Sequence, residues 1–171
     1  MANEETGATG GAEQQTQKPI FGIDRIYLKD VSLECPKGFE AFSNTSLKPR
    51  VEMDINNVQN KITDELYEVV LGLTVNVKDV ESDESIYLIE VEQAGTFRVV
   101  GLPEQDLRRV LSTMAPSTLF PYAREAIDDL VLKANFPPLR LSPVNFDMLY
   151  SQALQKQKGE AEASPSGDTV Q

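Results

Sequence analysis

The sequence predicts an α+β domain, in which a four-stranded antiparallel sheet is followed by long helices. Alternating and β-branched apolar residues fill most of the segment between residues 20 and 100, and this pattern is typical of strands. Apolar residues at helical spacing occupy most of the chain after Pro103. Polar turns or short loops separate the later strands, which favours antiparallel pairing.

The first predicted strand runs from Phe21 to Cys35. Side chains alternate between the faces of a strand, so two sets separate here. One face is expected to carry Tyr27, Lys29, Val31, Leu33 and Cys35, and the other Leu28, Asp30, Ser32 and Glu34. A long connection with Pro and Gly follows, and it carries two aromatic residues, Phe39 and Phe42.

Three further strands are predicted over residues 50–56, 66–77 and 86–100. The first of them alternates cleanly, with Val51, Met53 and Ile55 on one face and Glu52 and Asp54 on the other. The next is rich in β-branched residues and is expected at the centre of the sheet. In the last, Gly95 is expected to mark a β-bulge.

The rest of the chain predicts helices. One begins at Pro103 and places Leu107, Val110, Leu111 and Met114 on one face. Pro116 and Pro121 are expected to interrupt or kink it. A final helix, capped by Ser142 or Asn145, follows a Pro-rich link; its apolar positions are Phe146, Leu149, Tyr150, Ala153 and Leu154.

Composition sets the domain boundaries. Residues 1–19 contain no large apolar residue after Met1 and before Ile20, which predicts a disordered N-terminal tail. Residues 159–171 are small, polar and acidic, which predicts a disordered C-terminal tail. The folded domain is therefore expected over residues 20–158.

Charge and residue counts exclude several function classes. The net charge is −11, which disfavours nucleic-acid binding because phosphate backbones are repelled. The chain has no His and one Cys, Cys35, so His-based triads, intrachain disulfides and His or multi-Cys metal sites are excluded. No apolar run is long enough to insert in a membrane, and a cytoplasmic protein is expected.

Two surfaces are candidates for function. Asp30 and Glu34 share one strand face, and Leu88, Glu90 and Glu92 share another. If both lie on the same side of the sheet, they form an acidic surface, which either faces solvent or docks a basic partner.

Phe39 and Phe42 could fold over Val51, Met53 and Ile55, either to close the core or to leave an apolar groove. Adjacent acidic pairs elsewhere fit solvated charge better than catalysis.

Five stretches of the chain resemble the SecB family of protein-export chaperones. They are IYLKDVSLECP (26–36), YEVVLGLTV (67–75), YLIEVEQAGTF (87–97), LFPYAREAI (119–127) and NFPPLRLSPVNFDMLY (135–150). They occur in family order and cover most of the predicted domain.

The resemblance implies a homotetramer, built as a dimer of dimers, that holds unfolded precursor proteins with signal sequences and passes them to the SecA motor ATPase. It implies no ATP hydrolysis, no catalytic residue, no metal and no other cofactor. The family's SecA-docking residues correspond to Asp30, Glu34, Leu88 and Glu90. Its client groove corresponds to Phe39, Phe42, Val51, Met53 and Ile55, with Leu149 and Tyr150 on another wall. Two alternatives remain: a solitary SecB-like chaperone of a toxin–antitoxin pair, and a carboxylate-based enzyme.

Overall fold

The computed structural model describes residues 18–44 and 46–163 and confirms the α+β prediction. The strands are β1 (Ile20–Glu34), β2 (Pro49–Lys61), β3 (Leu66–Asp79) and β4 (Ser85–Val100). The helices are α1 (Glu40–Ser43), α2 (Glu104–Lys133) and α3 (Phe146–Ala163). Helix α3 thus runs past the boundary placed at residue 158. The tail segments 1–17 and 164–171 lie outside the described residues.

All neighbouring strands are antiparallel, and their order across the sheet is β1-β4-β3-β2. One side, here called the inner face, packs against α2 and supplies the core. Its buried side chains include Leu71, Leu73 and Val75 of β3 and Ile89, Val91 and Phe97 of β4. The other side, the outer face, carries Glu68, Gly72 and Thr74 of β3 and Leu88, Glu90 and Glu92 of β4.

Two bulges in β1 change which side chains share a face. The pairing of β1 with β4 shifts between Ile23 and Arg25 and again between Leu28 and Asp30. Each extra residue reverses the alternation that follows it. Tyr27 consequently pairs with Ala94 on the outer face, and Leu28 pairs with Gln93 on the inner face. The predicted placement of Tyr27 and Leu28 was wrong, because strict alternation ignores the extra residue.

Gly95 does not mark a bulge, and this prediction was also wrong. The register runs unbroken through Gly95, which pairs with Val69 of β3 and Ile26 of β1. The reason for glycine is the close approach of α2. A Cβ atom at this position would lie 2.9 Å from Cδ2 of Leu119 and 3.1 Å from the carbonyl oxygen of Arg25.

Helix α2 is a single helix of 30 residues that contains both Pro116 and Pro121, so the expected interruption does not occur. Tertiary packing offsets the missing backbone donors. Its sheet-facing side chains are fully buried; they are Leu119, Ala123, Ile127 and Val131. Met114, expected on that side, is instead 50% exposed. The helix ends before Asn135, whose φ of 65° is left-handed.

Helix α3 begins with the cap predicted at Asn145, whose side-chain oxygen accepts a hydrogen bond from the backbone N–H of Met148 at 2.9 Å. Phe146 is buried and meets Phe120 of α2 edge to face, with 6.0 Å between ring centroids. Asp147 pairs with Arg109 of α2 at 3.3 Å. These contacts fix the N-terminal turn of α3 against α2, between Arg109 and Phe120.

A polar network crosses the outer face at Glu68. Its carboxylate accepts hydrogen bonds from the Tyr27 hydroxyl, from Asn60 Nδ2 at 2.9 Å and from Lys29 Nζ at 3.2 Å. The bonds join β1, β3 and β2 and pass over β4, where the small side chain of Ala94 leaves room. They lower the pKa of Glu68 from 4.5 to about 2, and the bond from Tyr27 is the largest cause.

We expect this network to make the fold sensitive to acid. Folding lowers the pKa of Glu68. The contribution of this carboxylate to the free energy of unfolding is therefore complete above pH 4.5 and is lost as the pH falls toward about 2. Replacing Glu68 by Gln should lower the free energy of unfolding at pH 7 by about 1–2 kcal/mol. Urea denaturation from pH 7 to 2 measures this. Between pH 7 and pH 2 the free energy of unfolding should fall less in the variant than in the wild-type protein. Parallel pH profiles of the two proteins would contradict the prediction.

Candidate binding surfaces

Three rows of the outer face form an acidic surface, which spans all four strands. The register sets the rows in the order β1, β4, β3, β2. They are Asp30–Glu92–Gly72–Asn56, Ser32–Glu90–Thr74–Asp54 and Glu34–Leu88–Asn76–Glu52. The structure thus brings Asp30, Glu34, Leu88 and Glu90 together on one side of the sheet, as the sequence pattern allowed.

Most of the charge on the acidic surface is not neutralised. Glu52 pairs with Lys78 at 2.9 Å and with Arg50 at 2.8 Å. Asp30, Asp54, Glu90 and Glu92 have no ion-pair partner within residues 18–44 and 46–163. Ser32 Oγ lies 3.5 Å from a carboxylate oxygen of Glu90, and Leu88 is partly exposed beside Glu34. Such a surface attracts a basic partner and offers it one apolar contact.

Asp54 belongs to this surface but was not among the predicted site residues. Alternation in β2 already placed it away from Val51, Met53 and Ile55. Its neighbours follow only from the pairing of β2 with β3 and of β3 with β4, which puts Asp54 in the row of Thr74 and Glu90. The order of the strands was therefore the missing information.

The predicted apolar residues of β2 lie on the inner face, near the edge of the sheet. Met53 and Ile55 are half-buried against the core, while Val51 is 45% exposed. Val51 pairs with Val77, which pairs with Tyr87 of β4. Because β2 is an edge strand, part of this apolar strip remains open to solvent.

Two stacked aromatic rings extend the strip beyond Tyr87. The Phe136 ring lies between those of Tyr87 and Phe42, with centroid distances of 4.6 and 4.9 Å. Phe42 belongs to the short helix α1, and neighbouring Phe39 is 81% exposed. Burial raises the pKa of the Tyr87 phenol and of the Cys35 thiol, so both stay neutral at pH 7. Phe136 was missed, although an aromatic residue in a Pro-rich link gives the same signal as Phe39.

The predicted residues of α3 lie toward the opposite end of β2. Tyr150, with Ala153 and Leu154, lines a cleft of about 740 Å³. The rest of its lining is polar or charged and includes Gln59 of β2 and Arg108 and Ser112 of α2. Leu149 is 38% exposed on the same helix. Val51 and Gln59 are about 26 Å apart along an extended strand. The predicted apolar residues are thus distributed along β2 rather than gathered in one pocket.

The fold thus presents two surfaces of different chemistry, an acidic sheet face and an apolar strip beside its edge strand. Both features are typical of proteins that bind other polypeptides. The chain matches the family model of SecB, described as preprotein translocase subunit SecB, over residues 14–157. The chain therefore belongs to the SecB family, and its function is that of a protein-export chaperone.

Individual relatives agree with this assignment. The protein-export protein SecB of Chromohalobacter salexigens is 43% identical over 164 residues, which cover 96% of this chain and 98% of the relative. The SecB proteins of Marinobacter nauticus and Azotobacter vinelandii are each 45% identical and cover 92% of this chain, with 93% and 95% of the relatives covered. These descriptions favour neither a toxin–antitoxin role nor a carboxylate-based enzyme.

The fold is also found among solved structures. One of them is a Mycobacterium tuberculosis SecB-like chaperone in complex with a peptide from the HigA1 antitoxin, with a TM-score of 0.61 and 17% identity. The match covers 72% of this chain and 90% of that chain. Among the helices of the described residues, none has the length and apolar character needed to span a membrane.

Proposed function

We propose that this protein holds unfolded precursor proteins in the cytoplasm, without hydrolysing ATP, and delivers them to the SecA motor ATPase. The observation that supports this most is the separation of two surfaces on one sheet. The inner face exposes apolar side chains beside β2, and the outer face carries charge that is not neutralised. One surface suits a nonspecific client and the other suits a single basic partner.

The client surface consists of the β2 strip, the aromatic rings at one end and the α3 cleft at the other. Apolar contact is non-directional, so such a surface accepts many sequences, and the flexible Met53 side chain adapts to different clients. Its length along β2, about 26 Å between Val51 and Gln59, corresponds to roughly eight residues of an extended client. We assign Phe39, Phe42, Val51, Met53, Ile55, Leu149 and Tyr150 to this surface.

The docking surface consists of Asp30, Glu34, Leu88 and Glu90. Their carboxylates lie in adjacent rows of a rigid sheet, so a basic module meets several charges at once without ordering a loop. Leu88 supplies an apolar contact among them. Binding at this surface leaves the inner face free, so a loaded chaperone can still meet SecA.

The proposed assembly is a homotetramer, a dimer of dimers. Two exposed apolar sets support self-association. The edge strand β1 exposes Ile23, Leu28 and Val31, and α2 exposes Met114, Tyr122 and Leu132. Several client surfaces on one assembly would hold several segments of one unfolded chain, and this linkage raises the effective affinity.

Replacing Val51 and Ile55 by Ser should weaken capture of an unfolded precursor by about tenfold, because two apolar contacts of β2 are lost. Light scattering measures the native mass alone and after addition of the unfolded precursor. The wild-type protein is expected to have a mass near four chains and to bind the unfolded but not the folded precursor.

The matched control replaces Val80 and Ile62 by Ser. Both side chains are about half exposed and lie outside the strands, Ile62 in the segment that follows β2 and Val80 in the turn that follows β3. This variant should capture the precursor like the wild-type protein. Equal capture by both variants would place the client surface elsewhere, and a monomer that ignores unfolded protein would contradict the proposed function.

A further inference from the structure

A shallow hollow lies in the middle of the acidic surface. It encloses about 240 Å³, and its floor is the backbone at Gly72 of β3, which has no side chain to fill the space. The side chains around it include Asp30, Asp54, Glu90 and Glu92. At about 30 Å³ per liquid water, the hollow has room for one long side chain.

An apolar row borders the hollow on one side. The residues of β1, β4, β3 and β2 in this row are Tyr27, Ala94, Val70 and Val58. Ala94 and Val70 are buried, whereas Val58 is 44% exposed and Tyr27 is also exposed. Because of the bulge at Lys29, Tyr27 lies on the same face of the sheet as Asp30. The sheet therefore presents an apolar row directly beside the row of Asp30 and Glu92, with Glu90 and Asp54 in the row after that.

We propose that this hollow receives one lysine or arginine side chain of the basic partner, while a neighbouring apolar side chain of that partner rests on the apolar row beside the hollow. This rests on the proposed docking function and extends its surface to Asp54, Glu92 and the apolar row. The occupant follows from charge, since the four carboxylates around the hollow have no ion-pair partner among the described residues. A long cationic side chain also buries its apolar stem against the floor.

Gly72→Val tests the hollow directly. A Cβ at Gly72 would meet only Cβ and the carbonyl oxygen of Asn56, at 3.6 and 3.8 Å, which is ordinary contact. Valine also favours strands more than glycine does, so the fold is expected to be at least as stable. The added side chain occupies the hollow, and SecA affinity should fall about tenfold in titration calorimetry.

The matched control is Gly22→Val, the same substitution at the far end of the same face. Gly22 pairs with Arg98, and a Cβ there would meet no atom within 4 Å. This variant should bind SecA like the wild-type protein. A second variant, Asp54→Asn, removes one carboxylate of the hollow without changing its shape, and it should reduce both the affinity and its dependence on salt.

The outcomes separate this inference from the docking function. Weaker SecA binding by Gly72→Val, with client capture and native mass unchanged, supports the hollow. If Gly72→Val binds normally while Asp30→Asn with Glu90→Gln does not, the hollow is wrong and the docking surface stands. If neither variant loses SecA affinity, both the hollow and the docking surface are wrong. A change in client capture or native mass would mean that the hollow receives a client or a second copy, and would overturn the inference.

Discussion

Replacing Asp30 by Asn together with Glu90 by Gln is expected to reduce SecA affinity by about a hundredfold and to leave client capture unchanged. Each substitution keeps the shape of the side chain and removes one charge that no cation among the described residues offsets. A lost charge contact of about 1.4 kcal/mol corresponds to a tenfold change, and two such losses give the expected factor. The proposed client surface lies on the inner face, whereas both of these side chains lie on the outer face.

Titration calorimetry at low and moderate salt measures this effect, since a charge-driven contact weakens as salt rises. The control is Asp64→Asn with Glu125→Gln, which changes the net charge equally but lies in the β2–β3 turn and on α2. It should bind SecA nearly as the wild-type protein does. Equal losses of SecA and client binding would reject the model of two separate surfaces.

The largest expected effect on stability comes from Gly95→Val. Its Cβ would lie 2.9 Å from Leu119 Cδ2 and 3.1 Å from both the Arg25 carbonyl oxygen and Cε2 of Phe97. The Phe97 ring is fully buried and cannot move away easily, and the Arg25 carbonyl belongs to backbone that is paired with β4. We expect the free energy of unfolding to fall by about 3 kcal/mol, at the upper end of the cost of overpacking.

Urea denaturation followed by circular dichroism measures this loss at a fixed protein concentration, because assembly also contributes to stability. Gly22→Val is again the matched control and should stay within about 0.5 kcal/mol of the wild-type protein. If Gly95→Val were equally stable, α2 would lie farther from β4 than described, and the glycine would have another explanation.

The fold class could be predicted because each strand and helix carries its own local pattern. What could not be predicted depends on contacts distant in sequence. The bulges in β1 depend on the pairing with β4, and the glycine at position 95 depends on Leu119. Pro116 and Pro121 break helices locally, yet burial of α2 against the sheet keeps this helix continuous.

The candidate surfaces also combine residues that local alternation predicts with residues that only the fold brings together. Alternation could group Asp30 with Glu34 and Leu88 with Glu90, because each pair lies on one strand. That both pairs lie on the same side of the sheet follows only from the pairing of β1 with β4. Asp54 lies two strands from Glu90 and required the strand order. Phe136 follows α2 in the chain, and only the fold brings it to Phe42.

The strand order β1-β4-β3-β2 also has a consequence for biosynthesis. β1 leaves the ribosome first among these strands, but β4, its neighbour in the sheet within residues 18–44 and 46–163, is complete only at Val100. At about 5–20 residues per second, synthesis takes roughly 3–13 s to proceed from the end of β1 to the end of β4. During that time the nascent chain presents an extended, partly apolar segment with open hydrogen-bonding groups, the kind of segment that the mature protein binds in others. A chain stalled before Val100 would therefore be prone to proteolysis and aggregation.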